Sequence, residues 1–113
     1  MGAGDTASAA INVLLERLQS DAAATLRMKD WQQVIRWNID GKDFHWRVNQ
    51  GNITSCVDKR QRPGITLKCS EQTLQKIANQ DLPLFIALWA TGEVEFDGTF
   101  ADAYRLGYLF LND

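Results

Sequence analysis

The residues of this sequence able to do chemistry are few: His45, the cysteines Cys56 and Cys69, an acidic series Glu93, Glu95 and Asp97, and a basic cluster Lys59, Arg60 and Arg62. A histidine beside a cysteine or serine could activate a nucleophile, a carboxylate series could hold a cation or share a proton, and clustered cations could hold phosphate. Spacing completes none of these. His45 is the single histidine, which leaves no multi-histidine zinc site, and no serine or cysteine neighbours it in sequence. The cysteines are far apart and make no CxxC pair, so reduced thiols in a cytoplasmic protein are the simplest reading. Glu93, Glu95 and Asp97 alternate along one strand face, which contact with water explains without chemistry. The cations run into Pro63 and Gly64 and read as a solvated turn. The sequence therefore predicts no catalytic residue, no metal site and no cofactor.

Composition sets wider bounds. With 113 residues, 45% hydrophobic and 23% charged, the chain can bury one core without disulfide staples. Its formal net charge of -2 and pI near 5.3 argue against nucleic acid as a partner, which calls for a strongly basic face. The N-terminus has no basic region followed by an apolar stretch, as a signal peptide would. "MGAGDT" fits the loose N-myristoylation pattern through Gly2 and Thr6, a pattern small polar termini often match. The expected division is a flexible terminus over 1–7 and one domain over 8–113.

Hydrophobic periodicity then supplies the elements. Ile11, Leu14, Leu15, Leu18, Ala22 and Leu26 recur at steps of three and four, predicting one amphipathic helix started by Thr6 or Ser8. From Trp31 the period is two. Trp31, Ile35, Trp37 and Ile39 share a face, as do Phe44, Trp46 and Val48, then Ile53, Ser55 and Val57, then Ile65, Leu67 and Cys69; Asp40-Gly41 and Gln50-Gly51 mark tight turns. The aromatics share parity with the aliphatics, so they belong to the covered face. An RNA-recognition sheet would instead put them on the open one. Ser70 caps a helix whose Leu74, Ile77 and Ala78 face inward. Pro83 leads a second helix that Gly92 ends, Val94 and Phe96 return to strand spacing, and Thr99 caps a last helix with Asp102 at its third position.

Two of these helices are too apolar for one sheet to cover. Leu84 to Ala90 contains no polar side chain, and the last helix has a stripe of Phe100, Ala103, Tyr104, Gly107, Tyr108 and Leu111 with Leu106, Leu109 and Phe110 outside it. Seven apolar residues cannot cross a bilayer, which takes about 20. The excess must go into an unusually full core, a subunit interface, or a cavity of lipid size, about 300 to 1,000 Å³.

The stretch "ITLKCSEQTLQKIANQDLPLFIALWATGEVEFDGTFADAYRLGYLF" resembles the sterol carrier protein 2 family: a strand, a Ser-capped helix, a proline-led helix, Gly, a short strand, Gly and a closing helix. Pro83, Gly92 and Gly98 match that pattern, and the similarity runs from about residue 8 to the C-terminus. Asn79 stands where the family commonly has Gly, a substitution a left-handed turn tolerates. Glu93 stands where it often has Lys, which removes a cation from any headgroup site there.

The resemblance implies an α+β fold, a five-stranded, mostly antiparallel sheet with one face covered by about four helices. It also implies a non-catalytic lipid carrier, not an enzyme, with a hydrophobic tunnel between the sheet and the C-terminal helices. The ligand would be a fatty acid, acyl-CoA, sterol, phospholipid or isoprenoid. Within that frame Ile77, Phe85, Leu88, Trp89, Phe96, Phe100, Tyr104, Tyr108 and Leu111 are the expected ligand contacts, and Trp37 and Trp46 are assigned to the core. The partner is thus a lipid or other apolar small molecule, with transient membrane contact. The alternative is an accessory module whose apolar helical surface docks on an enzyme of lipid or quinone metabolism, or on a second copy as a homodimer.

Overall fold

The computed structural model describes residues 3–56 and 62–109. The elements run α1 (Ala3–Ser20), α2 (Ala22–Arg27), β1 (Gln32–Ile39), β2 (Lys42–Asn49), β3 (Asn52–Cys56), β4 (Ile65–Cys69), α3 (Glu71–Ala78), α4 (Leu84–Trp89), β5 (Glu95–Asp97) and α5 (Phe100–Leu109). The strands form one sheet in the order β3-β2-β1-β4-β5. Pairs β1/β2, β2/β3 and β4/β5 are antiparallel, as expected, and β1/β4 is parallel, so the sheet is mixed. Both hairpins turn where the sequence marked them. Asp40-Gly41 and Gln50-Gly51 have positive φ at both central positions, the backbone that matches the twist of the flanking strands.

Strand alternation delivers the core as read. Trp31, Ile35, Trp37, Ile39, Trp46, Val48, Ile53, Ile65, Leu67 and Cys69 are buried on the helix-covered face. Trp37 and Trp46 are fully buried and meet edge to face, centroids 5.3 Å apart. Phe44, Leu82, Leu88 and Phe96 are only partly buried and pack at the margin of this core.

The first helix differs from expectation. It begins at Ala3, so Thr6 and Ser8 lie within it rather than at its start, and it breaks at Asp21. Asp21 adopts an extended conformation and its carboxylate accepts the Ala23 N–H at 2.9 Å, capping α2. The break resets the helical phase. Ala22 and Leu26, expected on the inward stripe, are therefore exposed, and the described residues form five helices, one more than an uninterrupted first helix would give. Arg17 fastens α1 to α3 by donating to the Ala78 carbonyl at 2.6 Å, a cation at a helix C-terminus, and Gln19 donates to Ile53 O at 2.8 Å.

At the start of α3, Ser70 accepts the Thr73 N–H at 3.1 Å and Asp40 accepts that of Glu71 at 2.9 Å, so the β1–β2 turn completes the cap. At its end the left-handed residue is Gln80, φ 65, and not Asn79, φ -83, because Asn79 still closes the last helical turn by donating to Gln75 O. A non-glycine residue in this region costs about 1–2 kcal/mol, and glycine loses about 0.4–1 kcal/mol through unfolded-chain entropy. Gln80→Gly is therefore expected to stabilise the protein by about 0.5–1 kcal/mol in urea unfolding; a loss of stability would contradict the assignment.

Candidate ligand-binding site

The region singled out by sequence is α4, β5 and α5. Pro83, φ -62, enters α4 at the N-cap with no side-chain hydrogen bond, and Gly92, φ 71, follows its end. The Val94 N–H donates to Ala87 O at 3.2 Å and ties the outgoing chain to the helix. Leu84 and Ala87 are buried, Leu88 is half-buried, and Ile86 and Trp89 are exposed. Phe96, opposite Leu67 in the β4/β5 register, is half-buried. Among the described residues, α1 packs against α3, β3 and β2 and α5 against α2, whereas α4 has no comparably extensive contact with any one element.

The last helix is rotated relative to expectation. Ala103, Leu106, Gly107 and Leu109 face inward, while Phe100 is 81% and Tyr104 70% exposed. Asp102 explains the rotation. Its carboxylate accepts from Gln33 Nε2 at 3.1 Å on β1, from Trp31 Nε1 at 3.4 Å and from Thr99 Oγ1 at 2.9 Å, while the Asp102 N–H donates to Thr99 Oγ1 at 3.1 Å. Turning Asp102 inward brings Leu106 and Leu109, one and two turns on, to the same side. Phe100 and Tyr104 go outward with Arg105, whose guanidinium lies 5.8 Å from the centre of the Trp31 ring.

Of the nine expected contacts, Ile77 is a core residue, Leu88 and Phe96 lie at the core margin, and Trp89, at 51% exposure, stands on the outer side of α4. Phe100 and Tyr104 project into solvent, the reverse of a tunnel wall. Phe85 and Tyr108 lie on α4 and α5 without a described side-chain placement, and Leu111 lies outside the described residues, as does Gly2. Trp37 and Trp46 are core, as assigned.

Several cavities open on the described surface, and the linings of three bear on the site. One of about 570 Å³ is lined mainly by polar groups, Gln32, Gln33, Arg47, Asn49 and Arg62, with Val34 and Val48. Another, of about 220 Å³, lies between Leu26, Arg27, Asp30, Tyr104 and Arg105. The third, about 250 Å³, is bounded by Asp40, Lys68, Cys69, Ser70, Gly92, Glu93 and Glu95. None of these three is an apolar tunnel.

Among the described residues no three His, Cys, Asp or Glu side chains converge on a metal position. Glu93 accepts from Thr91 Oγ1 at 3.1 Å and lies 4.0 Å from Lys76, an exposed pair of small energetic weight. The strand register sets His45 between Arg36 on β1 and Cys56 on β3, a juxtaposition that spacing along the chain conceals and the two hairpin turns would have disclosed. Lys59 and Arg60 lie outside the described residues.

Burial, reinforced by the nearby Asp40 charge, pushes the Cys69 thiol up to about 12 from its ordinary 9.0. The folded state thus holds this proton more tightly. The associated stability is fully present below pH 9 and is lost as pH rises from 9 towards 12. Native Cys69 is expected to react with iodoacetamide at pH 8 at least about a hundredfold more slowly than in urea, followed by peptide mass spectrometry. Equal rates would show an accessible thiol.

Residues 11–110 match the model of the SCP-2 sterol transfer family. A comparison with curated proteins finds no significant match. Among solved structures, the crystal structure of sterol carrier protein 2 like 2 from Aedes aegypti is similar at TM-score 0.63 and 17% identity, covering 95% of this chain and 98% of that one. The UbiJ-SCP2 ubiquinone synthesis protein is similar at TM-score 0.63 and 18% identity, over 91% of this chain and 90% of that one. The sec-alkylsulfatase Pisa1 from Pseudomonas sp. is 25% identical at TM-score 0.58, matching 76% of this chain but 13% of that much longer one, so the domain also occurs within an enzyme. With an α+β fold built on a five-stranded mixed sheet and a family match over nearly its whole length, this chain belongs to the SCP-2 sterol transfer family, whose members are typically lipid and sterol carriers.

Proposed function

We propose that this chain is a non-catalytic carrier of an apolar lipid, held between the covered face of the sheet and the α4–β5–α5 segment. The observation that carries the reading is the incomplete burial of that segment: Leu82, Leu88 and Phe96 are half-covered at the core margin, and Ile86 and Trp89 on α4 are 38% and 51% exposed. Among the described residues α4 has no extensive contact with any one element, so we take it as the helix that moves away at least cost. Outward displacement of α4 opens a space lined by Ile77, Leu88 and Phe96. Methylene burial contributes about 0.8 kcal/mol each, so a long acyl chain binds there with little polar contact. Fatty acids are the first ligand to test, because the related Aedes aegypti protein is described in a palmitated form.

Native mass spectrometry of gently purified protein is expected to show co-purifying lipid, and displacement of a fluorescent fatty acid to be saturable at micromolar protein. Leu88→Asp places a charge where the chain would lie and is expected to weaken binding at least tenfold, about 1.4 kcal/mol. Absence of both retained lipid and saturable displacement would overturn the carrier reading. The same half-exposed α4 ridge favours a second reading, in which Ile86 and Trp89 meet a protein or a second copy. Trp89→Asp is the probe for it, read by light scattering across a dilution series; a particle mass independent of both concentration and this change removes the homodimer.

A further inference from the structure

The lipid of the proposed carrier would lie on the covered face of the sheet; the cavity of about 570 Å³ lies on the open one. Gln32, Val34, Arg47 and Asn49 alternate along β1 and β2 with the core residues Ile35, Trp46 and Val48, so their side chains form its floor. Across the two strands Gln32 pairs with Asn49 and Val34 with Arg47. Arg62 walls the cavity from the segment that leads into β4. It precedes Pro63 and Gly64, and the Gly64 N–H donates to the Val34 carbonyl at 3.0 Å. A Cβ on Gly64 would collide with the Gln33 amide, so a glycine lets this backbone come close to β1. That approach brings Arg62 into one cavity with Arg47, although β3 separates them in sequence.

The charge there is of one sign in a chain whose formal net charge is -2. Among the described residues no acid lines the cavity, and Arg47 and Arg62, both exposed, are open to a solute. Arg36 follows Val34 by two residues and so projects from the same face beside it; its Nε is buried without a hydrogen-bond partner. The acids of this face stand elsewhere: Asp43 accepts from Asn38 Nδ2 at 2.7 Å near the β1–β2 turn, and Glu95 and Asp97 lie on the edge strand beyond β4. Like charges so placed repel, and a buried guanidinium nitrogen lacks a partner; an anion relieves both. Guanidinium forks grip carboxylate or phosphate with paired hydrogen bonds. Two forks in one cavity with a third beside it carry more charge than a single carboxylate neutralises, and match a phosphate dianion. Gln32 Nε2 donates to Asn49 Oδ1 at 3.4 Å, which leaves the Asn49 amide donors for a ligand, and Val34 offers apolar contact to the group that bears the phosphate. The volume suits a small organic molecule, for which sites of about 300 to 1,000 Å³ are usual, rather than a bare ion.

We propose that the open-face cavity between Arg47 and Arg62 binds a small water-soluble phosphate compound, with Arg36 adding to its charge. The site is on the opposite side of the sheet from the proposed lipid space, so its test is separate from that of lipid carriage. Protein is titrated with inorganic pyrophosphate by calorimetry in about 0.15 M sodium chloride, where weak surface attraction is screened. A single saturable site is expected, with acetate bound at least about tenfold more weakly. Arg47→Gln and Arg62→Gln should each weaken pyrophosphate binding about tenfold and Arg36→Gln several-fold. Lys42→Gln removes the same charge at the far end of β2 and should bind as wild type. Thermal melts verify that each variant is folded; Arg47→Lys, which keeps the charge and loses the fork, is the second probe should Arg47→Gln fail, and should also bind more weakly than wild type. Displacement of the fluorescent fatty acid should be the same in all these variants. Phosphatidic acid vesicles, which present the same phosphate on a lipid, should not compete with pyrophosphate. No saturable site, acetate bound as tightly, losses at Lys42 equal to those at Arg47 and Arg62, or competition by the vesicles would overturn the proposal.

Discussion

Trp37→Ala is expected to lower the unfolding free energy by about 3–5 kcal/mol, the cost of deleting a large buried aromatic side chain. Domains of this kind are stable by about 5–15 kcal/mol, so the variant would be near the limit of folding. Trp37 is fully buried at the centre of the sheet, and its ring meets that of Trp46 at 5.3 Å, a contact contributing about 0.5–1.5 kcal/mol beyond burial. One effect opposes the loss: neither indole Nε1 has a hydrogen-bond acceptor, so removing Trp37 also removes an unsatisfied buried donor, which recovers about 1–3 kcal/mol at most. The cavity and the lost ring contact outweigh it. Trp37→Phe keeps most of the volume and discards the donor, and is expected to cost less than about 1.5 kcal/mol. On α4, Trp89→Ala deletes the same side chain from an exposed position and is expected to change stability by no more than about 0.5 kcal/mol. Urea unfolding of the three variants checks the ordering. Equal losses at positions 37 and 89 would contradict the placement of the core.

That contrast between two tryptophans also marks what the sequence disclosed. On the strands a side chain has two directions, and polar partners such as Arg36, Asn38 and Arg47 label the open one, so Ile35, Trp37 and Trp46 were legible as core from alternation alone. The type I′ turns were equally plain, because the Asp-Gly and Gln-Gly pairs suit the backbone they adopt. In α4 and α5 this labelling fails. Leu84 to Trp89 carries no polar side chain, and α5 offers apolar residues around most of its circumference, so more than one inward stripe satisfies the helical period. Choosing between stripes takes a tertiary bond, the one from Gln33 on β1 to Asp102, whose partners are separated by 69 residues. Hence Phe100 and Tyr104 read as tunnel wall and stand in solvent. The phase of α2 was hidden for another reason: Asp21 is compatible with a helix interior as well as a cap, and only its carboxylate's bond to Ala23 shows which. The surplus of apolar surface was legible in amount but not in direction.

Asp102→Ala is therefore expected to have the second largest effect, although the residue is a polar one in the first turn of a terminal element. Its removal strands the Gln33 amide and the Trp31 indole N–H, each part-buried, at about 1 kcal/mol apiece, and deprives Thr99 Oγ1 of its acceptor. Loss of the acid near the helix N-terminus adds about 0.3–1 kcal/mol. The sum is about 2–3 kcal/mol, which exceeds the usual cost of a surface substitution and falls below that of a core tryptophan. Asp102→Asn keeps one carbonyl acceptor and is expected to recover at least half of the loss. Because the bonds lie between α5 and β1, hydrogen exchange should accelerate first in α5, with the β2/β3 hairpin unchanged below the global limit. A uniform acceleration would mean that α5 is held by Leu106 and Leu109 alone, and that the outward setting of Phe100 and Tyr104 owes nothing to Asp102. If exchange is confined to α5, the same carboxylate that fixes the last helix also sets which of its faces the protein presents to its surroundings.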